Sequence, residues 1–184
     1  GRWFGIEHEQ GVVPDMITMA KGLTGGYAPL GAVLVHERVS KMFNDQKLYC
    51  GLTYYGHPLS CAAGEEALAI YQEEGLIERA ASLEPLLRSG LESIATAVQG
   101  EEADVRVRGL LGAIEWRNGT EPKWASFFTA LSQELKREQI HCYPKIDTGM
   151  LVIAPPLVIE ESELREGLER LRACVVSAID RMAC

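Results

Sequence analysis

Pro14-Asp15-Met16-Ile17-Thr18-Met19-Ala20-Lys21-Gly22-Leu23-Thr24-Gly25-Gly26 is the stretch on which the reading of this chain turns. Met16 to Ala20 is a continuous run bounded by Pro14-Asp15 and Lys21-Gly22, too short for a helix, and it predicts a buried strand. Gly22, Gly25, Gly26 and Pro29 then punctuate a loop. Gly31 to His36 predicts a second strand and Glu37 to Asn44 a short helix. Lys21, at the junction of strand and loop, admits two readings. One is a solvated lysine at a strand end. The other is an amine held against apolar surroundings, which disfavour the ammonium form and leave a nucleophile able to form a Schiff base with a carbonyl carbon. A nucleotide loop is disfavoured: G-x-x-x-x-G-K-[ST] sets its lysine after the glycines, Lys21 precedes them, and no G-x-G-x-x-G occurs.

Downstream, Gly51 to Gly56 reads as a turn and Pro58 as the first residue of a long helix, where its missing N–H is harmless. Thr53 therefore stands close to a helix N-terminus, a place that attracts phosphate, although a local turn hydroxyl is the simpler role for an isolated threonine. His57 reads as a helix-entry residue. Leu59, Ala62, Ala63, Leu68 and Ile70 give the helix an apolar side, and Gly75 ends it. Leu76, Ala80, Leu83, Leu87, Leu91 and Ile94 follow at helical spacing, with Pro85 expected to kink or split the run. Val105 to Trp116 predicts a strand pair or one bent strand, with Gly109 and Gly112 as bulges. Trp124, Phe127, Phe128, Leu131 and Leu135 mark another helix, Met150 to Ala154 a strand, and Leu164, Leu168, Leu171, Val175 and Ile179 a last helix. Alternating strands and helices indicate an α/β architecture.

The chain has 184 residues, with 18 Lys+Arg against 26 Asp+Glu and a formal net charge of −8. That acidity argues against a nucleic-acid partner, which would need a basic face. No apolar stretch approaches the roughly 18 residues of a membrane span. Cys50, Cys61, Cys142, Cys174 and Cys184 are scattered and never spaced C-x-x-C, so neither a metal site nor a disulfide framework is expected. With no signal segment at the start, a reduced, cytoplasmic setting is the expectation. His8, His36 and His141 lack an acid or cysteine partner at informative spacing. Glu65-Glu66, Glu73-Glu74 and Glu160-Glu161 read as solvated faces, and Arg106 and Arg108 as one exposed side of a strand.

Taken together, PDMITMAKGLTGGYAPLGAVL (Pro14 to Leu34), GLTYYGHPLSCAAGEEAL (Gly51 to Leu68), VRGLLGAIE (Val107 to Glu115) and LVIAPPLVI (Leu151 to Ile159) resemble, in order, the landmarks of the class III aminotransferases. The resemblance implies the C-terminal part of a fold-type I transferase: the end of the large mixed-sheet domain at 1–74 and a small α/β domain at 75–184. It implies pyridoxal 5'-phosphate as cofactor, carried on Lys21 as a Schiff base, with Thr53 on the cofactor phosphate, usually from the neighbouring subunit of a homodimer. The implied reaction passes an amino group from an amine donor to a keto-acid acceptor, with freed Lys21 moving the proton. Members acting on α-carboxylates often carry an arginine where Val152 stands. Another subgroup places a mobile arginine near Lys145, which otherwise reads as a solvated loop residue. The resemblance thus favours an amine or ω-amino donor. Gly1 to Phe4 resembles the stretch just after the family's "DEV…GFGR" element, so the aspartate for the pyridine nitrogen, the glycine-rich phosphate loop and the stacking aromatic are expected upstream, and the isolated chain is expected to bind cofactor poorly. Alternative readings are a same-fold aminomutase or decarboxylase, and a non-catalytic fragment serving only in dimer assembly.

Overall fold

The computed structural model describes residues 1–117 and 121–182; Cys184 lies outside them. The chain forms two compact units, Trp3–Leu76 and Ile77–Cys184, the latter together with Gly1–Arg2.

In Trp3–Leu76, strands β1 (Met16–Met19) and β2 (Ala32–Val35) pair antiparallel, with Met16 opposite Val35 and Met19 opposite Ala32. A 3-10 turn, Lys21–Thr24, leaves the end of β1. Helix α1 (Glu37–Ser40) follows β2, and its N-cap His36 accepts a hydrogen bond from the Arg38 N–H through Nδ1. Helix α2 (Pro58–Glu73) starts on its proline as expected and stops before Gly75, whose φ of +60° supplies the left-handed step that ends many helices. Two expectations fail here. β1 is not a buried strand: with one strand beside it, its residues alternate between exposed and half-buried. Nor is the apolar side of α2 buried, for Leu59, Leu68 and Ile70 are exposed. The helix instead buries Ser60 and Gly64, with Ala67 and Tyr71 half-buried on the same face at steps of four, three and four.

The second unit holds the core. Helix α3 (Leu76–Ala95) is one helix, not two, although Pro85 lies inside it. Pro85 is exposed. On that side water can solvate the carbonyl that the proline leaves unpaired, while the buried face, Leu83, Leu87, Leu91 and Ile94, holds the helix together. Strands β3 (Ala103–Arg108) and β4 (Leu111–Trp116) form a hairpin in unbroken register from Ala103–Trp116 to Arg108–Leu111. Gly109, at φ +55°, therefore makes the two-residue turn rather than a bulge. Gly112 is not a bulge either. It pairs with Val107, and a Cβ there would stand 2.5 Å from Leu91 Cδ1, so glycine lets α3 approach the sheet.

Helix α4 (Pro122–Arg137) leads to β5 (Tyr143–Lys145) and β6 (Met150–Ile153), and helix α5 (Glu161–Met182) closes the unit. The sheet order is β3-β4-β6-β5, every neighbour antiparallel. β5 has no counterpart among the sequence expectations: it is three residues long and contains Pro144, which an edge strand tolerates. The core joins Leu87, Leu91, Ile114, Leu151, Val175 and an aromatic cluster of Trp116, Trp124, Phe127 and Phe128 with ring centroids 5.1 to 6.3 Å apart. The fold is α/β, helices interleaved with antiparallel sheets.

Candidate active site

Ala20 follows β1 in extended backbone, and Lys21 then turns to φ +53°, a left-handed conformation that a side chain bearing a Cβ adopts at a cost of about 1–3 kcal/mol. Such a conformation persists only where neighbours fix it. Here the Leu23 N–H donates to the Ala20 carbonyl and the Gly25 N–H to the Gly22 carbonyl, both at 3.2 Å. The Thr24 hydroxyl, on a residue only 2% exposed, donates to the Ala28 carbonyl at 2.6 Å. Gly25 and Gly26, at φ +59° and +86°, complete a turn that other residues would strain.

The wall of this turn is α2. A Cβ at Gly64 would meet Leu30 Cδ2 at 3.0 Å and the Leu23 carbonyl at 3.5 Å. Seven residues on, the Tyr71 hydroxyl donates to the Gly22 carbonyl at 2.7 Å. Sequence reasoning missed Ser60, Gly64 and Tyr71. Their helical spacing was the available signal, hidden beneath the more conspicuous leucines.

Lys21 itself is exposed, and the apolar enclosure expected of it is absent among the described residues. The reason is local: a two-stranded sheet with exposed positions on β1 cannot bury the residue at its end. No ion pair or hydrogen bond engages the Lys21 amine among the described residues.

Thr53 is exposed in the turn leading to α2, where the Tyr55 N–H donates to the Leu52 carbonyl at 3.1 Å and Gly56 adopts φ +65°. No side chain caps the start of α2, so its first-turn donors stay open. The N-cap His57 is half-buried, and its Nδ1 has no hydrogen-bond partner among the described residues. No hydrogen bond joins Lys21 and Thr53. Both lie in Trp3–Leu76, whereas Lys145 lies in the other unit.

Lys145 is not a solvated loop residue. It is half-buried on β5, opposite Met150. Val152, half-buried, pairs with Ala113 on one side and Tyr143 on the other. Arg106 pairs with Ala113 from β3 and so stands in the same row. Its guanidinium is engaged by Glu115 at 2.5 Å and by Asp104, and these two bonds raise its pKa in that order.

Of the cysteines, Cys50 and Cys61 are exposed and free, Cys142 is half-buried and Cys174 buried. Burial, and then the neighbouring Cys174, pushes the Cys142 thiol up to about 12, which leaves it protonated and inert.

Taken one by one, the groups suit a phosphorylated aldehyde: the Lys21 amine suits a carbonyl carbon, and, apart from it, the exposed Thr53 hydroxyl and the uncapped start of α2 suit a phosphate. The family model for class III aminotransferases matches residues 1–175. The chain is 39% identical over 178 residues to gamma aminobutyrate transaminase 2 of Solanum lycopersicum, covering 90% of this chain and 37% of that protein. It is 32% identical over 183 residues to the putrescine–pyruvate aminotransferase of Pseudomonas aeruginosa, covering 95% and 39%. Among solved structures, it superposes on a taurine:2-oxoglutarate aminotransferase from Bifidobacterium kashiwanohense, in complex with PLP and glutamate, at a TM-score of 0.84 and 32% identity, covering 98% of this chain and 41% of that one. A transaminase from a marine Virgibacillus gives 0.85 at 29% identity, covering 97% and 42%. The chain thus spans about two-fifths of the length of the proteins it matches. A match that runs through both units leaves one conclusion: the chain belongs to the class III aminotransferases.

Proposed function

We propose that the protein is a pyridoxal phosphate-dependent transaminase that moves an amino group from an amine or ω-amino acid to a keto acid. The observation that carries this reading is the Lys21 turn. Its backbone is held in a left-handed conformation by bonds on both sides, while its amine stays unengaged. When bound, the cofactor supplies an electron sink for charge developing at the substrate carbon. The chain's own residues do the rest. Lys21 would hold the cofactor through Nζ, and the same nitrogen, when free, would move a proton at the substrate carbon. The Thr53 hydroxyl, beside the open N–H groups of α2, would hold the phosphate of the cofactor bound by the neighbouring subunit of a homodimer.

The same reading extends to organisation. Residues 1–74 are the end of a large cofactor-binding domain and 75–184 a small C-terminal domain of a longer, cytoplasmic enzyme that acts as a homodimer. The apolar residues exposed on Trp3–Leu76 support a covered surface there. Among the described residues no helix is long and apolar enough to cross a membrane. The preference for an amine or ω-amino donor rests on the resemblance. Val152 stands where relatives acting on α-carboxylates often carry an arginine, and its side chain offers no charge, which favours a donor without an α-carboxylate. On the same resemblance Lys145 would be the candidate to meet a distal carboxylate, as a point charge rather than a bidentate fork.

The test is to incubate the full-length protein with pyridoxal phosphate, reduce with borohydride and map the adduct by mass spectrometry. Modification of Lys21 is expected; modification elsewhere with Lys21 untouched overturns the assignment. Stoichiometric consumption of a keto-acid acceptor separates transamination from aminomutase or decarboxylase chemistry.

A further inference from the structure

The turn that presents Lys21 is held from a distance of forty-nine residues in sequence by one phenol. The Tyr71 hydroxyl donates at 2.7 Å to the Gly22 carbonyl, the acceptor immediately after the left-handed lysine. That carbonyl also accepts the Gly25 N–H, so both of its lone pairs are used and its direction is fixed from two sides. The ring is held in turn. Trp3 meets it edge-on, with centroids 6.0 Å apart and planes at 75°. Half-buried on the face of α2 that carries Ser60 and Gly64, Tyr71 reaches the turn because those small residues let the helix come close.

From this arrangement we propose that Tyr71 is a positioning residue for Lys21. By fixing the Gly22 carbonyl it holds the strained backbone at position 21 and so sets the direction in which the lysine amine leaves the turn, and Trp3 orients the phenol. The proposal rests on the reading of Lys21 as the reactive amine. Left-handed backbone at a residue with a side chain relaxes once a tie beside it is lost, and a relaxed backbone aims Nζ elsewhere. No atom of Tyr71 needs to touch substrate or cofactor.

Tyr71→Phe deletes the hydroxyl and keeps the ring against Trp3, so the test is made in the full-length protein with this variant, with Trp3→Leu, and with Tyr49→Phe as a control at an exposed tyrosine. Two quantities are read. One is amide hydrogen exchange at Leu23 and Gly25, the donors that close the turn. The other is the pH dependence of borohydride trapping of pyridoxal phosphate on Lys21, read by mass spectrometry. Tyr71→Phe should speed exchange at both amides about threefold, the worth of one exposed hydrogen bond, and displace the trapping profile along the pH axis. Trp3→Leu should act in the same direction and to a smaller extent, and it carries the test if Tyr71→Phe fails to fold. Tyr49→Phe should change neither quantity. Unchanged exchange overturns the tie itself. Faster exchange with an unmoved trapping profile overturns the positioning role and leaves a structural bond. If Lys21 is never labelled in the unsubstituted protein, the functional reading and the positioning role fail together, while exchange still decides whether Tyr71 holds the turn.

Discussion

In Ile77–Cys184 the four aromatics Trp116, Trp124, Phe127 and Phe128 are almost free of water contact, whereas in Trp3–Leu76 Tyr27, Tyr49 and Tyr54 are 93%, 88% and 78% exposed. The same contrast runs through the aliphatic residues. Leu87, Leu91, Ile114 and Leu131 are fully enclosed, while Val33, Leu34, Leu48, Leu52 and Leu59 face solvent. One unit is held by apolar burial, at roughly 25 cal/mol per Å² removed from water. The other is held by backbone turns, a short hairpin and the close seat of α2 on the Lys21 turn through Ser60 and Gly64. Exposed apolar groups this dense mark a candidate interaction surface. Stability is therefore concentrated in the second unit, and the proposed chemistry sits in the first, where fewer buried contacts resist local opening.

The largest break in that comparison comes from emptying the core. Phe128→Ala should destabilise the second unit by about 3–5 kcal/mol, the range for removing a buried aromatic, read as a fall in the midpoint of urea unfolding. A smaller change of less than about 1 kcal/mol would show that the aromatic cluster is looser than its 5.1 Å closest centroid separation implies. The next effect concerns Glu134, whose side chain is 1% exposed and which faces Arg137 at 2.7 Å and Arg181 at 2.5 Å. These are charge contacts and not well-aligned hydrogen bonds, since both carboxylate oxygens lack a hydrogen-bond partner among the described residues. Replacing both arginines by methionine leaves a buried carboxylate unpaired and should cost about 3 kcal/mol. Adding Glu134→Leu to that pair should recover most of the loss, because no buried charge then remains.

Glu84 gives a smaller effect with a pH signature. Its carboxylate accepts the Gly109 N–H at 2.6 Å and an Arg88 N–H at 3.1 Å, tying the hairpin turn to α3. The Gly109 bond, opposed by burial and aided by Arg88, holds this carboxyl below its ordinary value of 4.5. A group whose folded value is depressed contributes its stability in full above the ordinary value and loses it as pH falls through the folded one. Glu84→Gln should therefore cost about 1 kcal/mol at neutral pH. That gap should close progressively as unfolding is measured below pH 4.5. A gap independent of pH would mean that the carboxylate charge contributes nothing.

Most of the second unit was legible in the sequence, since its helices carry leucine and aromatic stripes at helical spacing and those stripes are buried. What escaped there was backbone detail decided by packing. Pro85 stays inside one helix because its exposed position spares the core-facing ladder, Gly109 turns a hairpin and Gly112 admits α3. β5 is too short and too polar to show a period. In the first unit the elements were legible but their burial was not. A continuous apolar run reads as buried wherever a second layer exists to cover it, and no layer among the described residues covers β1 or the leucines of α2. The Lys21 turn was legible as a motif. Its left-handed lysine and its tie to Tyr71 were not, because a contact spanning forty-nine residues leaves no local pattern.

The smallest expected effect tests the comparison most directly. Leu59, in the first turn of α2, is 76% exposed, so Leu59→Ser in the isolated 184-residue chain should change unfolding free energy by no more than about 0.5 kcal/mol. The same substitution in a buried helix, at Leu91 for example, would cost several-fold more, because it removes a packed side chain and buries a hydroxyl. Run at several protein concentrations, the measurement also probes what covers α2. A Leu59→Ser cost that stays near zero at every concentration fits a unit whose apolar stripe is free in this chain. A cost that grows with concentration points to copies of the chain meeting on that stripe, by the mass action that links association to stability. A large cost independent of concentration would mean that the chain covers Leu59 itself, and the contrast between the two units would then not describe the protein in solution.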